Sequence, residues 1–181
     1  MNITKTSKFL SLILRHKPEA GGITLDKNGW ASVFSLLNAC NIKIGQLDKI
    51  VSENNKGRFE YDEKKTKIRA RQGHSIKVDV GLSEQIPPEF LYHGTKYSNL
   101  SSIKDSGLLK MNRLHVHLSI DKNTAIEVAK RRSGKSVVLK IDALKMQKDG
   151  YSFFLSNNNV WLTDSVPSKY ILHLIWIEGV L

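Results

Sequence analysis

The sequence predicts an α+β protein in two lobes, and three observations carry that expectation. Apolar residues recur at helical spacing from Phe9 to Val51, and a basic segment from Arg58 onward switches to a two-residue period. After Pro87 and Pro88 the apolar residues fall into short runs of strand length. The proline pair forbids regular helix and divides a Lys/Arg-heavy part from a strand-rich part, giving lobes of residues 1–85 and 86–181.

In the first lobe, Phe9, Leu10, Leu12, Ile13 and Leu14 form one broad helical stripe, so a helix is expected over about Thr4–His16, ended by Pro18. "GWASVFSLLNAC" and "KIGQLDKIVSEN" place Val33, Leu36 and Leu37, and Leu47, Ile50 and Val51, at the same spacing, which predicts two further short helices. Phe59 and Tyr61 then alternate with charges, a polar turn follows, and Ile68 stands among alternating cations, which reads as a basic hairpin. Three helices and such a hairpin make a winged-helix-like lobe, a frequent scaffold for nucleic acid. The second lobe reads as mostly β: "FLYHGT", "HVHLS", "SVVLKIDA", "SFFLS", "VWLT" and "YILHLIWI" are strands, with helices at "SNLSSIKDSGL" and "NTAIEVAKRR".

Charge points to the partner. Lys and Arg number 28 against 17 for Asp and Glu, a net charge of +11, which favours polyanions such as nucleic acid. The first 80 residues hold 15 basic and 8 acidic side chains, and the remaining 101 hold 13 and 9, so the first lobe is the expected polyanion binder. Cys40 is the single cysteine, which excludes an internal disulfide and a cysteine-rich zinc site. The first apolar run is short and leads into Arg15, His16 and Lys17, and the late run "YILHLIWIEGVL" is broken by His173 and Glu178. Neither has the shape of a secretory signal or a membrane span, so a cytoplasmic, monomeric protein is expected.

Several residue groups could carry chemistry. Arg15, His16 and Lys17 suit a helix C-terminus, where cations offset the dipole, and equally suit a compact phosphate clamp. Lys67, Arg69 and Arg71 share one strand face, with Ile68 and Ala70 on the other. That face is either a solvated edge or a phosphate-facing ladder. "QGHS" after it reads as a turn. His93 in "YHGT" and the pair His115 and His117 in "HVHLS" lack a third ligand at metal-binding spacing, so no metal is expected. Glycine-rich nucleotide fingerprints are absent.

Taken in order, "LRHKP", "IRARQGHS", "LYHGT", "HVHLS", "RRSGKSVVLKI" and "VWLTDSVP" closely resemble the RNA 2′-phosphotransferase family, from about Lys8 to Val180. The resemblance implies an N-terminal winged-helix-like RNA lobe and a C-terminal NAD-binding lobe of the ADP-ribosyltransferase type. It implies an enzyme that moves an internal RNA 2′-phosphate, of the tRNA splice-junction kind, onto NAD. The products would be 2′-hydroxyl RNA, nicotinamide and ADP-ribose 1″,2″-cyclic phosphate, with NAD as co-substrate and no metal.

Position by position, the resemblance assigns catalysis to Arg15, His16, Arg69 and Arg132, with Arg132 preferred to Arg131 because it directly precedes the small-residue turn before "SVVLKI". It assigns NAD to His93, Gly94, Thr95, His117 and Ser119, and it leaves Lys17, Lys67 and Arg71 to bind RNA phosphate. Arginines would hold a 2′-phosphate that is already mostly dianionic near neutrality, and His16 would move the proton in the second step. Two rivals share parts of this pattern. An NAD-dependent ADP-ribosyltransferase acting on a terminal phosphate or a protein would use the same second lobe, and an inactive RNA-binding module would need only the first.

Overall fold

The first helix, α1 (Ile3–Ile13), buries Leu10 and Ile13 on the face the apolar stripe predicts. It ends three residues before the expected His16, because the amides of His16 and Lys17 both bond to the Leu12 carbonyl, 2.9 Å each, and close a wide turn ahead of Pro18. A 3₁₀ turn, Pro18–Gly21, follows. The computed structural model describes residues 3–53, 57–131 and 133–177.

A short strand the sequence did not suggest, β1 (Ala31–Ser32), leads into α2 (Val33–Cys40), which Ser32 caps by accepting from the Ser35 amide. The helix α3 (Ile44–Ser52) buries Leu47 and Ile50. The expected hairpin is β2 (Phe59–Tyr61) and β3 (Lys67–Ala70), and β1 adds on its other side to give the order β1-β3-β2. Ile68 and Ala70 are buried with Phe59, so the alternate positions, Lys67, Arg69 and Glu60, lie on the opposite face. Leu10, Leu14, Leu36, Leu47 and Ile68 anchor this unit's core. It runs up to Gly81 and includes Asn112–Leu114.

The second unit comprises the described residues from Leu82 to Met111 and from His115 on. It contains β4 (Phe90–Lys96), α4 (Leu100–Ser106), β5 (Leu108–Leu109), β6 (Val116–Leu118) and α5 (Lys122–Ala129). β7 (Ser136–Asp142) follows, then α6 (Ala143–Lys148), β8 (Phe154–Leu155), β9 (Trp161–Thr163), β10 (Ser165–Val166) and β11 (Ile171–Trp176). The sheets are antiparallel, ordered β11-β7-β4, β6-β9-β8 and β10-β5. Strand β7 is central, and its near-continuous apolar run is buried from Ser136 to Leu139. α6 went unread in the sequence because its only buried apolar positions, Ala143 and Met146, are too few for a stripe. Small antiparallel sheets with interspersed helices make the chain α+β. Among the described residues, no helix is long and apolar enough to cross a membrane.

Candidate active site

Arg15 and His16 stand in the turn that closes α1, and the "QGHS" segment holds them there. The Ser75 amide donates to the Arg15 carbonyl at 3.0 Å, and the Ser75 hydroxyl meets His16 Nδ1 at 2.9 Å. Gly73 lies beneath the Arg15 guanidinium with φ +89°, where a Cβ would stand 3.6 Å from Nη1. A side chain there would be strained by the positive φ. Arg15 Nη2 donates to the Arg58 carbonyl at 3.5 Å, its guanidinium carbon lies 5.9 Å from the Phe59 ring centre, and its Nε is buried without a hydrogen-bond partner.

The surroundings are cationic. Burial, then repulsion from Arg58 and Arg113, brings the Arg15 pKa down to about 10, so it stays charged at neutrality. Burial, Arg15 and Arg113 depress His16. His74 is 2% exposed, and burial together with Arg15, His16 and Arg69 pulls it down to about 4, leaving it neutral. The positive charge of Arg15, His16 and Arg69 thus adds to burial in keeping this ring uncharged.

Arg69 is held from three directions. Its Nε donates to Glu60 Oε1 at 2.7 Å, its Nη1 reaches the Asn28 carbonyl at 3.4 Å, and its guanidinium carbon lies 4.4 Å from the Trp30 ring centre. Asp26 builds the turn that presents Asn28 and Trp30, accepting from both of their amides at 3.0 Å. Lys67 pairs with the same Asp26 at 3.4 Å, and Arg71 Nε pairs with Glu60 Oε2 at 3.0 Å. Lys17 is exposed.

In the second unit the residues singled out from sequence gather where β4 meets β6. Tyr92 and Ser119 exchange backbone bonds of 2.9 and 2.7 Å, and His93 Nδ1 lies 2.9 Å from the His117 carbonyl. A carbonyl only accepts, so Nδ1 donates here. Thr95 Oγ1 accepts from Asn99 at 3.2 Å. Gly94 is required by helix α5: a Cβ there would come within 2.1 Å of the Ala125 carbonyl. Lys96 Nζ donates to the Gly134 carbonyl at 2.8 Å and to Ser136 Oγ at 2.6 Å, pinning the turn after Arg131. Arg132 lies outside the described residues. His115 packs its ring against Phe154, with centres 5.8 Å apart. Among the described residues, no group of three or more His, Cys, Asp or Glu could hold a metal ion.

Arg58, Arg113, Glu60, Trp30, His74 and Ser75 were not singled out in the sequence. Glu60 and Trp30 become partners of Arg69 only through strand register, and Arg113 arrives from far along the chain. "QGHS" did carry a signal, since a glycine and a buried polar residue beside a basic strand are an uncommon way to make a plain turn.

The described chain is thus an α+β protein with a cluster of cationic side chains around Arg15 and His16 in one unit and His93 and Thr95 on β4 in the other. Comparison with known proteins names the family. The model described as "RNA 2'-phosphotransferase, Tpt1 / KptA family" matches residues 2–165, and the chain belongs to that family. It is 53% identical to a protein of Fusobacterium nucleatum over 94% of this chain and 98% of that one. It is also 53% identical to one of Flavobacterium johnsoniae, covering 94% and 96%. A third relative, from Trichormus variabilis, is 49% identical, again over 94% and 96%. Each of the three is named a "Probable RNA 2'-phosphotransferase".

Proposed function

We propose that the chain is an NAD-dependent RNA 2′-phosphotransferase that removes an internal 2′-phosphate from RNA. The first unit would be a winged-helix-like RNA lobe, within residues 1–85. The second would be an ADP-ribosyltransferase-like NAD lobe, within residues 86–181. The observation that carries the reading is the way one short segment holds Arg15 and His16, with Ser75 bonded to the Arg15 carbonyl and to His16 Nδ1 and Gly73 against the Arg15 guanidinium, in a chain whose relatives bear that name.

In the first step, Arg15 and Arg69 orient the dianionic 2′-phosphate, and the family resemblance assigns Arg132 a catalytic role as well. A phosphate oxygen bonds to C1″ of the nicotinamide ribose while the C1″–N bond breaks, and nicotinamide leaves neutral with the electron pair. This step needs positioning rather than a base. His93, with Nδ1 donating to the His117 carbonyl, and Thr95, His117 and Ser119 offer donors and acceptors suited to the ribose and amide of NAD.

In the second step the 2″-oxygen bonds to phosphorus, the P–O2′ bond breaks, and the 2″ proton ends on the RNA 2′-oxygen. Negative charge builds on the phosphate oxygens, where the arginines act again. His16, with Nδ1 held by Ser75, moves the proton. Lys67 and Arg71 flank Arg69 on the same face of β3 and serve the RNA backbone, as would Lys17.

The test is incubation with NAD and an oligonucleotide bearing one internal 2′-phosphate, in the presence of a chelator. Nicotinamide, 2′-hydroxyl RNA and ADP-ribose 1″,2″-cyclic phosphate are expected together. Stable ADP-ribosylated RNA would point to an ADP-ribosyltransferase instead, and no consumption of NAD would overturn the reading.

A further inference from the structure

Resting on that reading, we infer that Glu60 is a positioning residue: one carboxylate that aims Arg69 and Arg71 at the RNA phosphate. Glu60 stands directly opposite Arg69 in the β2–β3 register, and Arg71 is two residues further along the same face. Oε1 accepts a hydrogen bond from Arg69 Nε at 2.7 Å, and Oε2 forms an ion pair with Arg71, 3.0 Å from its Nε. The side chains of Glu60 and Arg69 are only 14% and 15% exposed, so water competes little for the pair.

The engaged atoms decide what the pair does. A carboxylate that merely neutralised Arg69 would take the guanidinium end-on, through the two Nη nitrogens, and would occupy the edge that recognises phosphate. Glu60 grips the Nε side. With the Trp30 ring 4.4 Å from the guanidinium carbon and the Asn28 carbonyl 3.4 Å from Nη1, the guanidinium is restrained on three sides.

Placing a carboxylate beside a phosphate site opposes phosphate binding through charge alone. The arrangement therefore gives up affinity for direction, and the two effects predict opposite results when the charge is removed. In Glu60→Gln, one oxygen and one amide group replace two oxygens, so the two arginines can no longer both be held. The maximal rate is expected to fall about 10- to 100-fold, the loss that misplacement of a reacting group brings. The KM for 2′-phosphorylated RNA stays level or drops. Glu60→Asp keeps the charge and both oxygens on a shorter stem, and recovers part of the rate.

The experiment measures kcat and KM for both variants and, independently of turnover, the ¹⁵N NMR signal of the Arg69 Nε–H. That signal is expected to be resolved and slow to exchange in the wild type and lost in Glu60→Gln, with melting curves confirming folded protein. An unchanged kcat in folded Glu60→Gln, or a wild-type Arg69 Nε–H that exchanges rapidly, would overturn the inference. If the wild type itself fails to turn over 2′-phosphorylated RNA, the functional reading falls, and the NMR comparison still decides whether Glu60 fixes Arg69.

Discussion

Arg15 and Arg69 carry the same charge in the same unit, and the fold treats them in opposite ways. Arg15 is surrounded by cations: Arg58 and Arg113 depress it, and its buried Nε finds no partner. Arg69 is paired with Glu60, stacked on Trp30 and bonded to the Asn28 carbonyl. A cation left uncompensated stores attraction for an anion, whereas a cation held on three sides sacrifices attraction for a fixed direction. A phosphoryl-transfer site needs both, because charge alone binds a phosphate without orienting it for in-line attack.

The comparison breaks most visibly at Arg15. Arg15→Ala is expected to lower the single-turnover rate with NAD and 2′-phosphorylated RNA by about 10²- to 10³-fold, the effect of losing one donor to developing charge. Arg15→Lys recovers little, since an ammonium lacks the planar fork. A rate within threefold of the wild type in Arg15→Ala would end the distinction between the two arginines.

The buried His74 ring titrates out of the range of an exposed histidine. His74 has a folded pKa near 4 against an ordinary 6.5, so between those values the unfolded chain binds a proton that the folded chain refuses. Stability therefore falls as pH drops from about 6.5 to 4, by about 3 kcal/mol from this residue. Denaturant melts across that range should show His74→Gln losing correspondingly less stability than the wild type. Parallel curves would mean that the ring is not held neutral by its neighbours.

A smaller effect sharpens the role of Ser75. Burial and the positive charge of Arg15 and Arg113 keep His16 below 6.5, so its limb of the pH–rate profile lies on the acid side of that value. Ser75→Ala removes the bond to Nδ1 and is expected to slow turnover about threefold to tenfold and to move that limb, while Ser75→Thr preserves both. A profile identical to the wild type would assign Ser75 to the backbone turn alone.

The mildest probe is Trp30→Leu, which keeps apolar cover beneath Arg69 and removes the ring's quadrupole. A loss of about 0.5–1 kcal/mol, or two- to fivefold in rate, is expected from steady-state measurement. A loss as large as that of Arg15→Ala would make the stack, rather than Glu60, the principal restraint on Arg69.

Much of the first unit was legible because its patterns are local. The apolar stripe of α1, the spacing of Val33 and Leu36 in α2 and the alternation in β3 depend on neighbours a few residues away. β1 and α6 escaped because two residues of strand and two buried positions of helix leave almost no periodic signal. The resemblance assigned Gly94 to NAD, and the structure shows that the backbone of α5 is what approaches it. Glu60 looked like one more solvated charge in "RFEYDE", since alternation says which face it shares but not which residue stands opposite.

The sequence by itself determined the α+β class, the basic character of the first unit, the family, and the residue types from which a phosphate site could be made. Those properties reside in composition, short-range periodicity and the order of motifs, all of which survive in an unfolded chain. Only the tertiary structure decided that Arg69 is gripped at Nε, that Ser75 holds His16, and that burial and the charge of Arg15, His16 and Arg69 keep His74 neutral. Such facts depend on strand register and burial, which bring residues 9 to 59 positions apart within hydrogen-bonding range and remove the water that would otherwise screen them.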